Sequence, residues 1–400
     1  MTVPRPQGRQ AQPLGWQHQP QGWHWEWVQP EPLQYHRLQL SLPNYRWWRP
    51  LLTIVLAMVY YMVLSVLLFA VYGIALFVNG GGLAGLESLD TSRITDPMTL
   101  SLLLVSVILM APAVLLACLS TGLRPWRHML SVASRIRWRW MLWCTMPAVV
   151  TFVGTQVLMN LFTIIGSLTA GALTDGSAGG LGDGTASAQP STHGWVGWPA
   201  YAVLFCMIVV LVPLQAATEE LVFRGLILQT VGGWLRQPWL AAIPSIVLFT
   251  AGHGYGFWGQ LSIVVFAVTT VWLAIRTGGL EASVALHVIN NALLFLVQAT
   301  GITGDDTLEG SVDSPIVLLQ EVILCSSYLC WVLFAARRRR IDNTYHPPAR
   351  PVPVWHGFEL SGTASSAPEA AATRDTVPIR TVQPSADDSQ SHPPMQRTQK

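Results

Sequence analysis

The run that decides the fold is residues 199–233, PAYAVLFCMIVVLVPLQAATEELVFRGLILQTVGG. It is long enough to cross a bilayer, which needs about 20 apolar residues. Yet Glu219, Glu220 and Arg224 sit inside it, between the apolar blocks Val209–Val212 and Leu226–Leu228. An ionisable side chain near the bilayer centre costs about 2.5–3.5 kcal/mol on insertion scales, so three so close together need a compensating arrangement. On a helix Glu220 and Arg224 are one turn apart and can pair. Glu219, turned about 100° from Glu220, is then left to face something else. The plainer reading of this cluster is a structural ion pair that steadies a helix bundle.

Outward from this run, seven more apolar stretches follow the same logic: 51–79, 97–120, 140–169, 239–254, 260–276, 280–300 and 315–336. The run at 199–233 is too long for a simple span, and 239–254 is short for one. Pro112, Pro147, Pro213 and Pro244 lie inside these runs, where neighbouring helices can re-satisfy the freed backbone groups. Composition agrees: 51% of the 400 residues are hydrophobic and 11% charged, about half the charged share of a soluble domain. The reading is an all-α, polytopic transmembrane bundle of about eight helices over residues 50–337. A Gln-, Pro- and Trp-rich extension (1–49) precedes it and a basic-to-polar tail (338–400) follows.

Both flanks read as disordered, although the tryptophans of Gly22-Trp23-His24-Trp25-Glu26-Trp27 suit a membrane interface. The N-terminus lacks the layout of a signal peptide, so the first helix is expected to direct insertion. The five cysteines lie in apolar runs without paired spacing and read as small core residues. No basic stripe of the kind nucleic acid requires is present.

Arginines set the expected orientation. Arg37, Arg46 and Arg49 precede the first run, and Arg124, Arg127, Arg135, Arg137 and Arg139 follow the second. Arg236, Arg276 and Arg337 to Arg340 fall at later turns on the same side of an eight-helix path. The opposite turns carry Glu87, Asp90, Asp175, Asp183, Asp305, Asp306, Glu309 and Asp313, with Arg93 as the exception. The Gly-rich stretch from Gly171 to Gly194 falls there too and reads as a linker. The positive-inside rule then places both termini in the cytoplasm, and a bacterial plasma membrane is the expected one.

Two further polar points lie in membrane runs: Phe249-Thr250-Ala251-Gly252-His253, and His287-Val288-Ile289-Asn290-Asn291. His287 and Asn291, four apart, share a helical face. Counting back from the expected turn at Trp234 to Trp239, Glu219 and His253 each lie roughly 20 Å deep. His287 and Asn291 lie roughly 12–18 Å from the turn at Thr277-Gly278-Gly279, so the four side chains share one level. A lone intramembrane His is most often a satisfied core residue. Two of them with a carboxylate pair, on separate helices, weaken that explanation.

These residues carry a resemblance. Glu-Glu-x-x-x-Arg at Glu219, Glu220 and Arg224, Phe-x-x-x-His at Phe249 and His253, and His-x-x-x-Asn at His287 and Asn291 resemble the ordered signature motifs of the CAAX-protease and bacteriocin-processing family. The resemblance covers about residues 195 to 300. It implies an intramembrane endopeptidase cutting near the cytoplasmic side, with Glu219 as general base and His253 helping to hold or polarise the water. It implies His287 and Asn291 as oxyanion donors, with Glu220 and Arg224 orienting them. A zinc held by Glu219, His253 and His287 is the metal alternative, and the metal-free route is preferred. The expected partners are a peptide or protein substrate in or at the membrane and the lipid bilayer itself. Two other classes compete: a catalytically silent membrane scaffold or immunity protein, and an ion-coupled transporter, though the hydropathy repeat that many transporters show is not found here.

Overall fold

The computed structural model describes residues 22–78, 94–174, 194–302 and 313–356. The acidic positions 87, 90, 175, 183, 305, 306 and 309, Arg93 and nearly all of the Gly-rich stretch lie outside the described residues. The chain divides into two compact units: Leu33–Tyr345, and Met1–Pro32 together with His346–Lys400. The larger unit is nearly all helical.

Its helices are α1 (Arg49–Leu76), α2 (Pro97–Thr121), α3 (Trp138–Thr174), α4 (Trp198–Gly232), α5 (Pro238–Ala251), α6 (Phe257–Thr277), α7 (Glu281–Gln298) and α8 (Pro315–Arg338). Among the described residues, seven are long and apolar enough to cross a membrane; α5 is the shorter one. At 14 residues it spans about 21 Å, against a hydrocarbon core of about 30 Å. The sequence Gly252-His253-Gly254-Tyr255-Gly256 explains the stop, since glycine is a poor helix former. The eight expected helices are therefore seven of spanning length and one that stops partway.

Local chemistry fixes the other ends. Asp96 caps α2 by accepting from Thr99 N at 2.8 Å, with Pro97 at the first helical position. Pro112 lacks an N–H, and its ring crowds the Ile108 carbonyl; α2 breaks at Leu109 accordingly. α6 ends at Gly278, whose φ of 69° is left-handed. A Cβ there would come within 2.6 Å of Asn343 Cα.

Two of the segments joining the helices, α2 to α3 and α6 to α7, meet at one end of the body. Val132 N donates to Gly278 O at 2.8 Å, and Leu280 N to Leu130 O at 2.9 Å. Arg137 binds Glu281 through Nε and Nη2, each at 2.8 Å, and also reaches the carbonyls of Thr277 and Asp342. The short strands β2 (Leu33–Gln34) and β3 (Thr344–Tyr345) pair antiparallel. The two ends of this unit thus lie side by side, and Arg137 reaches the Asp342 carbonyl beside them.

The body also takes in Leu33 to Trp48, whereas composition alone groups residues 1–49 as one extension. A short helical turn over Tyr35–Ser41 packs against the end of α4. Tyr35 donates to the Met129 carbonyl, and a Cβ on Gly232 would lie 1.9 Å from the His36 carbonyl oxygen. Glycine alone permits that approach.

In the smaller unit β1 (Gly22–Val28) pairs antiparallel with β4 (Arg350–His356), bringing the two flanks together as a ribbon. Cys118, Cys144 and Cys325 are buried as expected for core residues, whereas Cys206 and Cys330 lie exposed on the outer faces of their helices.

Candidate functional site

The charged residues of α4 fall where its winding changes. The helix is α-helical to Glu220, π-helical over Leu221–Ile227, and α-helical again from Leu228. A π segment frees a carbonyl from the regular ladder. The hydroxyl of Ser245 on α5 donates to Phe223 O at 2.8 Å from outside the helix. Gly225 lets the Met129 segment approach, since a Cβ would stand 3.1 Å from Met129 Cβ.

Glu220 and Arg224 pair as expected, with Nη1 3.3 Å from Oε1 and neither side chain exposed. Arg224 also donates to Thr270 Oγ1 on α6, and its guanidinium lies 4.3 Å from the centre of the Phe249 ring. Three contacts therefore compensate one buried cation: a carboxylate, a hydroxyl and an aromatic face.

Glu219 faces Gln215, away from the Arg224 pair, but the two glutamates also share a partner that the single helix did not suggest. Both flank the His287 ring. Nδ1 lies 2.9 Å from Glu220 Oε1, and Nε2 lies 3.4 Å from Glu219 Oε2. The two ring nitrogens diverge, so carboxylates from successive residues of α4 can each meet one. Glu220 accepts from Nδ1, which presents Nε2 to Glu219.

Asn291, one turn beyond His287 on α7, reaches the same place through a residue the sequence reading did not single out. Its Nδ2 donates to Gln215 Oε1 at 3.3 Å, and Gln215 Nε2 donates to Glu219 Oε1 at 2.8 Å. Phe266 was missed as well; its ring lies 5.0 Å from His287, edge to face. Gln215 had one available signal, a polar side chain four residues before Glu219 on the same helical face. Thr270 and Phe266 had none, because a single Thr or Phe in an apolar run is ordinary.

His253 stands slightly apart. Half-buried at the end of α5, it donates from Nδ1 to the Phe249 carbonyl at 2.8 Å. Among the described residues, no hydrogen bond or ion pair joins it to Glu219 or His287. The Phe249 ring links them, lying 4.8 Å from the His253 ring and 6.0 Å from that of His287. The Gln260 side chain donates to the His253 carbonyl and fixes the loop that follows α5.

The zinc alternative fits poorly. Among the described residues, no group of three or more His, Cys, Asp or Glu side chains is arranged to hold a metal ion.

With the geometry in place, comparison with known proteins finds a likeness over part of the chain. Residues 200–293 match the family model described as "Type II CAAX prenyl endopeptidase Rce1-like". This part of the chain is similar to that family. The matched stretch holds Glu219, Glu220, Arg224, His253, His287 and Asn291, together with Gln215. A protein of Bacillus subtilis (strain 168), known as "Uncharacterized protein YyaK", is 28% identical over 110 residues. That alignment covers 25% of this chain and 37% of YyaK, so the likeness spans well under half of either. No solved structure matches the chain. The Rce1-like segment runs from α4 to α7 and comprises the helices that bring the polar side chains together.

Proposed function

We propose that the protein is an intramembrane endopeptidase whose water is activated by Glu219. The observation that carries this reading is the His287 ring, flanked by Glu219 and Glu220 and joined through α7 to Asn291, all within membrane-spanning helices. Four ionisable or strongly polar groups from two helices, three of them buried, are far more than an apolar bundle needs. Their occurrence within the Rce1-like segment supports hydrolysis over transport.

In the proposed reaction Glu219 takes a proton from water, and the oxygen adds to the scissile carbonyl carbon. The developing oxyanion accepts from Asn291 and from His287 with hydrogen on both ring nitrogens, Nδ1–H held by Glu220 and Nε2–H left for the oxyanion. Glu219 then passes the proton to the leaving nitrogen as the C–N bond breaks, giving an acid and an amine. Glu220 holds the His287 ring by accepting from Nδ1–H, and Arg224 balances the charge of Glu220. His253, with Nδ1 committed to Phe249, has Nε2 left to polarise the water.

The positive face formed by the turns is assigned to the cytoplasm, with both ends of the helical body on that side and cleavage near it. The substrate is a peptide at the membrane surface. A CAAX-type prenylated C-terminus is the first candidate, because that is what the family description names.

The test is cleavage by the purified full-length protein in liposomes, with two peptide pools, one farnesylated at a C-terminal CAAX cysteine and one unmodified. Cleavage of either pool supports the endopeptidase reading, and the preferred pool assigns the substrate class. Intact peptides throughout both pools would remove that reading in favour of a silent scaffold.

A further inference from the structure

Gln215 occupies a position that the proposed reaction does not use. It is buried on α4, one turn before Glu219, and touches both the proposed base and the proposed oxyanion donor. The direction of this chain of hydrogen bonds is forced. A carboxylate only accepts, so the Gln215 amide must turn its NH2 to Glu219 and its carbonyl to Asn291. Asn291 must then offer its own NH2, which orients that amide as well. One side chain therefore sets the rotation of two functional groups on different helices.

The two oxygens of Glu219 are made unequal by this contact. Oε1 accepts from Gln215 at 2.8 Å. Oε2 lies 3.4 Å from His287 Nε2 and has no hydrogen-bond partner among the described residues. A proton arriving at the carboxylate goes to the oxygen whose lone pairs are not already engaged.

We propose that Gln215 is a positioning residue that holds Oε1 of Glu219 so that Oε2, on the His287 side, takes the proton, while the same amide aligns Asn291. The proposal rests on the endopeptidase reading, and it makes the base and the oxyanion donor a single coupled unit. Loss of the amide should damage turnover more than substrate binding, because the disturbed groups act on the reacting atoms.

The experiment uses Gln215→Met, which keeps the length and volume of the side chain and removes both hydrogen bonds. Gln215→Leu serves as a second variant should the first fail to elute as a folded monodisperse species. The first readout needs no substrate: modification of the full-length protein in detergent by dicyclohexylcarbodiimide, resolved to each carboxyl by mass spectrometry. Release of Oε1 should raise labelling of Glu219 severalfold relative to Glu220, which shares its surroundings and makes no contact with Gln215. The second readout is cleavage of whichever peptide the wild type cuts. A kcat lower by about 10²-fold with KM little changed is the expected cost of a misplaced group. Adding Gln215→Met to Asn291→Ala should cost less than the product of the separate losses.

An unchanged Glu219 to Glu220 labelling ratio overturns the proposal whether or not the protein proves to be a protease. Multiplicative losses, or a rise in KM alone, overturn it too. Should the wild type cut no peptide while the ratio rises, the held orientation of Glu219 stands and the endopeptidase reading is what falls.

Discussion

Glu220 Oε1 lies 2.9 Å from Nδ1 of His287, and both side chains are buried. This contact fixes which ring nitrogen faces Glu219, so it governs chemistry without touching a substrate. Glu220→Gln offers a neutral amide in place of an obligate acceptor and loosens the hold on the ring. The expected result is a kcat reduced by about 10²-fold, the usual cost of a misplaced catalytic group, with KM largely kept. Steady-state kinetics on a cleaved peptide checks it.

Arg224 has no exposed surface and balances Glu220. Arg224→Met leaves a buried carboxylate without its cation, and breaking such a pair costs about 3–5 kcal/mol. Thermal unfolding in detergent should show a clear loss of stability. Arg224→Lys should recover part of it, since an ammonium restores the charge and lacks the planar fork that meets Glu220, Thr270 and Phe249 together.

The Arg137–Glu281 clamp sits at the start of α7, about two turns before His287. Arg137→Lys keeps a charge and loses the two-pronged grip, so the bundle should lose about 1–3 kcal/mol. Because α7 carries both His287 and Asn291, turnover should fall as well. A melting temperature that drops while kcat holds would show that the clamp serves stability alone.

His128 lies in the turn between α2 and α3, where burial pushes its pKa down to about 4 from an ordinary 6.5; its bond to the Pro125 carbonyl opposes the shift only partly. The folded protein therefore resists protonating this ring while the unfolded chain accepts the proton freely. Stability should be level above pH 6.5, fall as pH drops from 6.5 to about 4, and level again below. One pKa unit is worth 1.36 kcal/mol, which puts the His128 share at about 3 kcal/mol. His36, lowered by burial in the same direction, adds to the slope. Unfolding of wild type and His128→Gln between pH 7.5 and 4 should give a shallower acid loss in the variant.

Much of the site is legible in the sequence. Charges inside an apolar run are costly enough that Glu219, Glu220 and Arg224 announce themselves. His287 and Asn291 follow from a shared helical face. What single-helix geometry does not supply is which groups meet across helices. It gives Glu219 and Glu220 different partners, which they have, but not the imidazole that the structure places between them. It also passes over Gln215, because nothing in α4 alone shows that Asn291 lies on the other side. The short α5 is visible as a short run, but its end at the Gly252–Gly256 loop depends on three glycines read together. The β1–β4 ribbon escapes for a different reason. Trp23, Trp25 and Trp27 do alternate with the period of a strand, but their pairing partner lies more than 300 residues away in a Pro-rich tail.

The most direct test of the central claim is cleavage of a peptide by the wild type and Glu219→Gln in parallel, each reconstituted in liposomes at equal amounts. Glu219→Gln keeps the length of the side chain and removes its ability to take a proton from water. Products are expected from the wild type and none above background from the variant, with both proteins equally folded. A variant that cuts at the wild-type rate would contradict the assignment of Glu219 as the base.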